Sequence, residues 1–158
     1  MVQIEITIAT LPEDVAAARQ LFEEYAAWLG FSLCFQGFDQ ELATLPGKYA
    51  LPTGRLLLAK CDGAPAGCIA LRPIQPGICE MKRLYVRPQF RGLALGRKFV
   101  ERLLSEAKII GYTSMRLDTI SEKMPEAVKL YRSFGFVEVA PYYSTPEPHT
   151  LFLELKLD

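Results

Sequence analysis

Along the first residues Val2, Ile4, Ile6 and Ile8 alternate with polar side chains, the period of a strand with one buried face. The pattern then turns helical. Val15, Leu21, Phe22, Tyr25 and Leu29 fall along one stripe that stops near Gly30. Just ahead of it, Thr10-Leu11-Pro12-Glu13 has the form of a capping box, so the threonine hydroxyl and the glutamate carboxylate are expected to satisfy amides at the helix start. Residues 35–45 suggest a second, short helix behind an Asp39 cap. From Leu45-Pro46-Gly47 to Pro52-Thr53-Gly54 the chain is rich in turn formers.

Strand patterning resumes at 55–61 and 66–71, two runs that flank Asp62-Gly63, a hairpin signal. Residues 73–77 read as another turn and 78–86 as a strand. Pro88 cannot donate to a ladder, so the chain is expected to leave the sheet there. Next comes the most regular helical stripe, Leu95, Phe99, Leu103, Leu104 and Ala107, with Gly111 as its C-cap. A strand at 114–119, a helix at 125–134 ending at Gly135, and strands at 136–139 and 151–157 complete the chain. The order β-α-α-β-β-β-α-β-α-β-β predicts a mixed α/β fold, antiparallel in front with βαβ units behind. No repeat or linker-like run divides the sequence, so one domain over 1–158 is expected.

Composition narrows the function. Half of the residues are hydrophobic and 23% are charged, the balance of a soluble globular protein. Eighteen basic residues face eighteen acidic ones. That neutrality argues against a general nucleic-acid binder, which needs excess positive charge, and gives no electrostatic pull toward an anionic membrane. No aliphatic run is longer than the four residues Leu56 to Ala59, far short of a membrane span. The N-terminus reads as a strand rather than a leader peptide, so a cytoplasmic protein is expected. Cys34, Cys61, Cys68 and Cys79 lack metal-ligand spacing and have only His149 to join them, so no metal is expected and the thiols should be free.

The chemistry concentrates in Arg87-Pro88-Gln89-Phe90-Arg91-Gly92-Leu93-Ala94-Leu95-Gly96-Arg97, which joins a strand to a helix. Glycines there let backbone amides approach a ligand, and the helix N-terminus adds partial positive charge. Such a turn suits a pyrophosphate, with Arg91 or Arg97 adding charge-assisted bonds. It is neither a nucleotide P-loop, which needs Gly-Lys-Ser/Thr, nor a dinucleotide G-x-G-x-x-G turn.

This stretch, with the strand Met81-Lys82-Arg83-Leu84-Tyr85-Val86 before it, resembles the GNAT N-acetyltransferases, which carry Gln/Arg-x-x-Gly-x-Gly/Ala at a strand-to-helix turn. Downstream, Ala127-Val128-Lys129-Leu130-Tyr131-Arg132-Ser133-Phe134-Gly135-Phe136 is similar to that family's A-x-x-L-Y-x-x-x-G-F signature. Two positions depart from it: Ala94 replaces the first glycine of a triplet, and Met124 stands where an asparagine is frequent. The resemblance implies a GNAT-like acyl-CoA N-acyltransferase fold, a mixed central sheet with flanking helices. It implies acetyl-CoA as cosubstrate and transfer to a small primary amine or an amino-acid-like metabolite by direct attack on the thioester.

Site residues follow from the same resemblance. Backbone groups of Leu84, Tyr85 and Val86 would hold the pantetheine arm. Amides of Arg91, Gly92, Leu93, Ala94, Leu95 and Gly96 would hold the pyrophosphate, with Arg97 nearby. Tyr131 matches the tyrosine that can protonate the departing thiolate. An alkylammonium titrates near pH 10.4, so a base or water chain must take a proton before attack; Glu80 is the first choice and Asp118 the second. Phe35, Phe38, Tyr142 and Tyr143 are expected to line the acceptor cleft, with Gln36, Asp39, Glu147 and His149 as polar handles. These loops hold Lys48 as their one basic residue, which suits a cationic or neutral amine. A small-molecule partner is expected, with no nucleic acid and no membrane, and members of the family often form homodimers.

Plain structural readings stay open beside these. The glycine turn could be a solvated helix cap and Tyr131 a core tyrosine. Glu80 could pair with Lys82 or Arg83, and His149 could sit exposed in its loop. An acetyl-CoA-binding sensor without turnover, and a peptide or protein N-acetyltransferase, are the alternative functions.

Overall fold

The computed structural model describes residues 1–30 and 37–158. Its elements are β1 (Ile4–Ile8), α1 (Pro12–Leu29), α2 (Phe38–Thr44), β2 (Arg55–Cys61), β3 (Ala64–Gln75), β4 (Ile78–Val86), α3 (Leu95–Ile110), β5 (Ser114–Ile120), α4 (Pro125–Ser133), β6 (Val137–Glu138) and β7 (Thr150–Lys156). The strands form one mixed sheet in the order β1-β2-β3-β4-β5-β7-β6. Neighbours are antiparallel except β4 and β5, which run parallel because α3 carries the chain back across the sheet.

Each face of the sheet is covered, so the central strands are buried on both sides. On β2, Leu57 and Ala59 pack with Phe99, Leu103 and Tyr131 beneath α3 and α4, whereas Leu56 and Leu58 pack with Leu21, Phe22 and Phe38 beneath α1 and α2. That double burial explains the unbroken apolar run at Leu56 to Ala59. Cys61, Cys68 and Cys79 are buried free thiols, and Cys34 lies outside the described residues. Among the described residues no helix is long and apolar enough to cross a membrane.

Three local expectations are corrected. The capping box at Thr10 does not form: Pro12 takes the first helical position and pushes Leu11 into the extended region, so Leu11 becomes the N-cap with no side-chain bond. Its carbonyl instead accepts from the amides of Asp14 and Val15, each at 3.0 Å. Asp39 does not cap α2 either. Gly37, left-handed at φ 70°, is the N-cap, and Asp39 sits inside the first turn, where its charge meets the positive helix end. Finally, β3 runs on through Pro73 to Gln75, and the turn is confined to Pro76 and Gly77. β2 pairs no further than Leu71, and the β3–β4 register shifts between Pro73 and Gln75, so the missing proline amide costs no ladder bond there.

Candidate active site

β4 and β5 share a short ladder, from Ile78 opposite Ser114 to Glu80 opposite Arg116. Beyond Glu80 the two strands part, and among the described residues, 81–86 have no strand on their β5 side. The cause lies on the other edge of β4. Tyr85 pairs with Cys68 and Lys82 with Ala70, which leaves Arg83 and Leu84 opposite the single residue Ile69. Such a bulge bends its strand and increases the local twist. Arg83 takes φ 62°, a left-handed conformation costing a non-glycine residue roughly 1–3 kcal/mol. The side chain is tied down: Nε and Nη2 donate to the Glu41 carboxylate at 2.9 and 3.0 Å, and the guanidinium lies 5.3 Å from the centre of the Phe38 ring.

The wedge so opened is lined by Lys82, Arg83 and Leu84 on one side and Asp118 and Thr119 on the other, with Tyr25 and Tyr131 also in its wall. It shares Leu84 and Met124 with a wider cleft of about 300 Å³ bounded by Trp28, Tyr85, Val86, Arg91 and Lys123. Lys123 stands 5.8 Å from the Trp28 ring. Arg91 lies near Val86, whose carbonyl accepts from its Nε at 3.2 Å.

At the turn into α3, Gly92 has φ 93° and its absent Cβ faces open space. Ala94 is the helix N-cap, left-handed at φ 59°, and offers no side-chain bond to the first amides of the helix. Those amides are available to an anion. Leu93 packs partly against the core and Leu95 is buried, so both contribute backbone. Gly96 plays a second role, because a Cβ there would lie 3.3 Å from Leu130 of α4. Arg97 turns toward α4, donating to Ser133 Oγ at 3.2 Å and stacking 5.0 Å from the Phe134 ring.

Tyr131 is 5% exposed, and its hydroxyl forms no hydrogen bond among the described residues. Burial, with Tyr25 and Asp118 nearby, pushes its pKa well above the usual tyrosine value. Glu80 is 1% exposed and pairs with Arg72, its cross-strand neighbour, at 2.9 Å, while its Oε2 accepts from the Tyr142 hydroxyl at 2.6 Å. Burial works to raise the Glu80 pKa, but Lys82, Arg72 and the Tyr142 bond together hold it below the ordinary carboxylate range. The hydroxyl of Tyr143 donates to Asp118, whose other oxygen is 3.9 Å from Lys82 Nζ. Burial depresses the Lys82 pKa, with Asp118 opposing the shift.

Tyr142 and Tyr143 stack edge-on with each other and with Phe152, their ring centres 5.1 to 5.6 Å apart. The expected acceptor residues are therefore only partly assembled. Phe38 supports Arg83 from α2. His149 is exposed and stands 3.5 Å from Glu122, away from these carboxylates in its bonding. Phe35 and Gln36 lie outside the described residues. The acceptor side is also more basic than its loops suggest, because β3 and β4 add Arg72, Lys82 and Arg83. Counting loop residues alone misses the charges supplied by the sheet floor. Tyr25, Trp28, Tyr49, Arg72 and Arg83 were not among the expected site residues; Arg83 lies in the strand that carries the resemblance, and no local motif marks the other four.

The acetyltransferase (GNAT) family model matches residues 16–136. The chain is 43% identical over 156 residues to an uncharacterised N-acetyltransferase of Schizosaccharomyces pombe, covering 98% of this chain and 95% of that one. It is 33% identical over 155 residues to an IAA acetyltransferase of Azospirillum brasilense, covering 96% and 98%. In fold it is similar to a GNAT-family acetyltransferase of Staphylococcus aureus, with a TM-score of 0.80 at 18% identity, over 99% of this chain and all of that one.

Proposed function

Since the chain belongs to the acetyltransferase (GNAT) family and is an acetyl-CoA-dependent acyltransferase, we propose that it acetylates a small primary amine or amino-acid-like metabolite in the wedge between β4 and β5. The observation that carries this reading is the parting of the two strands after Glu80, on the strand that leads through residues 87–94 into the uncapped N-terminus of α3. A strand edge without a neighbour offers regularly spaced backbone groups to an amide-bearing chain, and the helix end offers amides to phosphate. The donor groups present thus fit acetyl-CoA, which supplies the acyl group on a thiol leaving group.

On this reading Leu84, Tyr85 and Val86 hold the pantetheine arm through their backbone. The turn from Arg91 to Gly96 holds the pyrophosphate, with Arg91 closer than Arg97, which is engaged by α4. Tyr131 stays protonated because it is buried, so its hydroxyl can donate to the departing sulfur. A thiolate is the conjugate base of an acid near pKa 8.5 and is less basic than a buried phenolate. Full proton transfer from Tyr131 is therefore uphill, and its contribution should be modest. Both Glu80 oxygens already accept a hydrogen bond, one from Arg72 and one from Tyr142, so a proton from the amine must reach a remaining lone pair, directly or through a water. Asp118 has one oxygen whose ion-pair partner among the described residues is Lys82 at 3.9 Å, which keeps it as the alternative base.

Small size is supported by a recess of about 240 Å³ beside α2, and a cytoplasmic location and a single domain over 1–158 accompany the reading. The test is release of free CoA thiol from acetyl-CoA across small amines, amino acids, polyamines and peptides. Turnover of a small amine supports the reading. A lysine-rich or N-terminal peptide used orders of magnitude better than any small amine would overturn it.

A further inference from the structure

Resting on the amine-acceptor reading, we propose that the acceptor also carries a carboxylate, bound in the recess between α2 and β3 by Arg72, Lys48 and Tyr49. The recess opens between Gly37, Gln40 and Glu41 on one side and Lys48, Tyr49 and Arg72 on the other. Arg72 gives Nε and Nη2 to one oxygen of Glu80. Its remaining terminal nitrogen makes no hydrogen bond among the described residues, so the guanidinium retains a free edge on the recess. A guanidinium is always charged and matches the planar geometry of a carboxylate. Lys48 is exposed at the rim and forms no ion pair among the described residues.

Tyr49 supplies the second, independent observation. It is 3% exposed, its ring packs edge-on against Phe22, and its hydroxyl is buried without a hydrogen-bond partner among the described residues. The neighbouring Glu41 carboxylate, held by Arg83, lies close enough to help raise the Tyr49 pKa but makes no hydrogen bond of proper geometry to its hydroxyl. A buried hydroxyl left unbonded is costly and uncommon in native proteins. An oxygen of a bound anion, directly or through one trapped water, provides the missing acceptor.

The charges fit a monoanion. Around the recess Lys48, Arg72 and Arg83 face Glu41 and Glu80, which leaves one net positive charge. A phosphate or phosphonate dianion would remain undercompensated. The walls of the recess and of the wedge are joined by two ion pairs: Arg72 bonds Glu80, where β4 and β5 part, and Glu41 bonds Arg83 in the wedge wall. On this proposal the carboxylate sits on Arg72 and the amine is directed toward the wedge, as an amino acid would place them.

The experiment compares matched acceptors by thiol release: alanine with ethylamine, and phenylalanine with phenethylamine. The expected result is at least about a tenfold higher kcat/KM for the carboxylated member of a pair. In Tyr49→Phe the KM for the amino acid should rise several-fold with kcat retained, and the decarboxylated amine should be unaffected. Arg72→Lys, which keeps the charge beside Glu80 but loses the planar fork, should raise the same KM further. Equal or better use of ethylamine and phenethylamine overturns the carboxylate site while leaving the amine reading intact. So does a Tyr49→Phe protein with unchanged kinetics and a raised Tm, which would make the hydroxyl a mere packing defect. No turnover of any pair member overturns both readings.

Discussion

Tyr142 donates its hydroxyl hydrogen to Oε2 of Glu80 at 2.6 Å, and the next residue, Tyr143, bonds Asp118 in the same way. One loop between β6 and β7 thus caps both carboxylates that could take a proton from the acceptor amine. Arg116 stacks 5.3 Å from the Tyr142 ring and bonds Glu154, so the tyrosine is held from both sides. The arrangement couples the choice of base to the position of this loop.

If Glu80 is the base, directly or through water, Glu80→Gln should lower kcat/KM most near neutral pH and recover in part toward pH ~10, where the free amine is abundant without help. The wild-type carboxyl is already ionised throughout that range because its pKa is held low, so its own titration cannot produce the rise. Profiles of Glu80→Gln and Asp118→Asn side by side decide the matter. A loss in Glu80→Gln that is the same at every pH assigns the residue to holding Arg72 and Tyr142, and transfers the role to Asp118.

Tyr131→Phe should fold normally, because its hydroxyl has no hydrogen bond among the described residues to lose and the ring still packs 5.9 Å from Phe136. With proton donation to a thiolate only modestly useful, kcat should fall by about 10²-fold or less, at the low end for a general acid. Affinity for acetyl-CoA, measured by calorimetry, should stay unchanged. A change confined to KM would mark Tyr131 as a packing residue.

Much of this site was visible in the sequence because its parts are local. The strand 78–86, the turn after it and the helix start are contiguous, and Tyr131 lies in a second contiguous motif. What escaped depends on register. Glu80 and Lys82 are neighbours on one strand face, yet Glu80 pairs with Arg72, which the β3–β4 ladder places directly opposite. Directly opposed Cβ atoms are about 5 Å apart, closer than residues i and i+2 of one strand. The bulge at Arg83 was equally hidden. Arginine has no preference for positive φ, so nothing in its identity announces the kink that parts β4 from β5. Pro73 misled in the opposite sense, since a proline is harmless where the neighbouring strand has already ended.

Stability should decline on both sides of neutrality. Below it, Glu24, Glu80, Glu106 and Glu154 all have folded pKa values under the unfolded value of about 4.3, through Lys82, Arg72 and Tyr142 for Glu80 and through arginine partners for the other three, which outweigh burial. A depressed pKa adds stability above the unfolded value, and that stability is lost as pH falls through the folded values. Above neutrality the sign reverses. Burial raises the Cys79 thiol to about 12 and also raises Cys68. Their contribution is complete below the unfolded thiol value of about 8.5 and drains away as pH rises past it. Urea unfolding from pH 3 to 10.5 should therefore give a plateau between about pH 5.5 and 8 with a fall on each side. Stability that holds or rises below pH 4 would contradict the assigned ion pairs.

Gly92, rather than Gly96, isolates the cofactor turn. A side chain at Gly96 would meet Leu130 at 3.3 Å and force α3 away from α4, so a defect there would report helix packing as much as ligand binding. At Gly92 the added Cβ meets nothing within 4 Å, and the only intrinsic penalty is the left-handed φ of 93°. That penalty is about 1–2 kcal/mol for an L-residue, enough to lower Tm by several degrees without abolishing the fold. If amides of this turn hold the pyrophosphate, Gly92→Val should in addition weaken acetyl-CoA by about tenfold or more, because a branched side chain now stands where phosphate oxygens must approach. Loss of affinity for desulfo-CoA in parallel would place the defect at the phosphates, since that ligand has no thioester to lose. Unchanged calorimetric affinity in a folded Gly92→Val protein would remove the pyrophosphate from this turn.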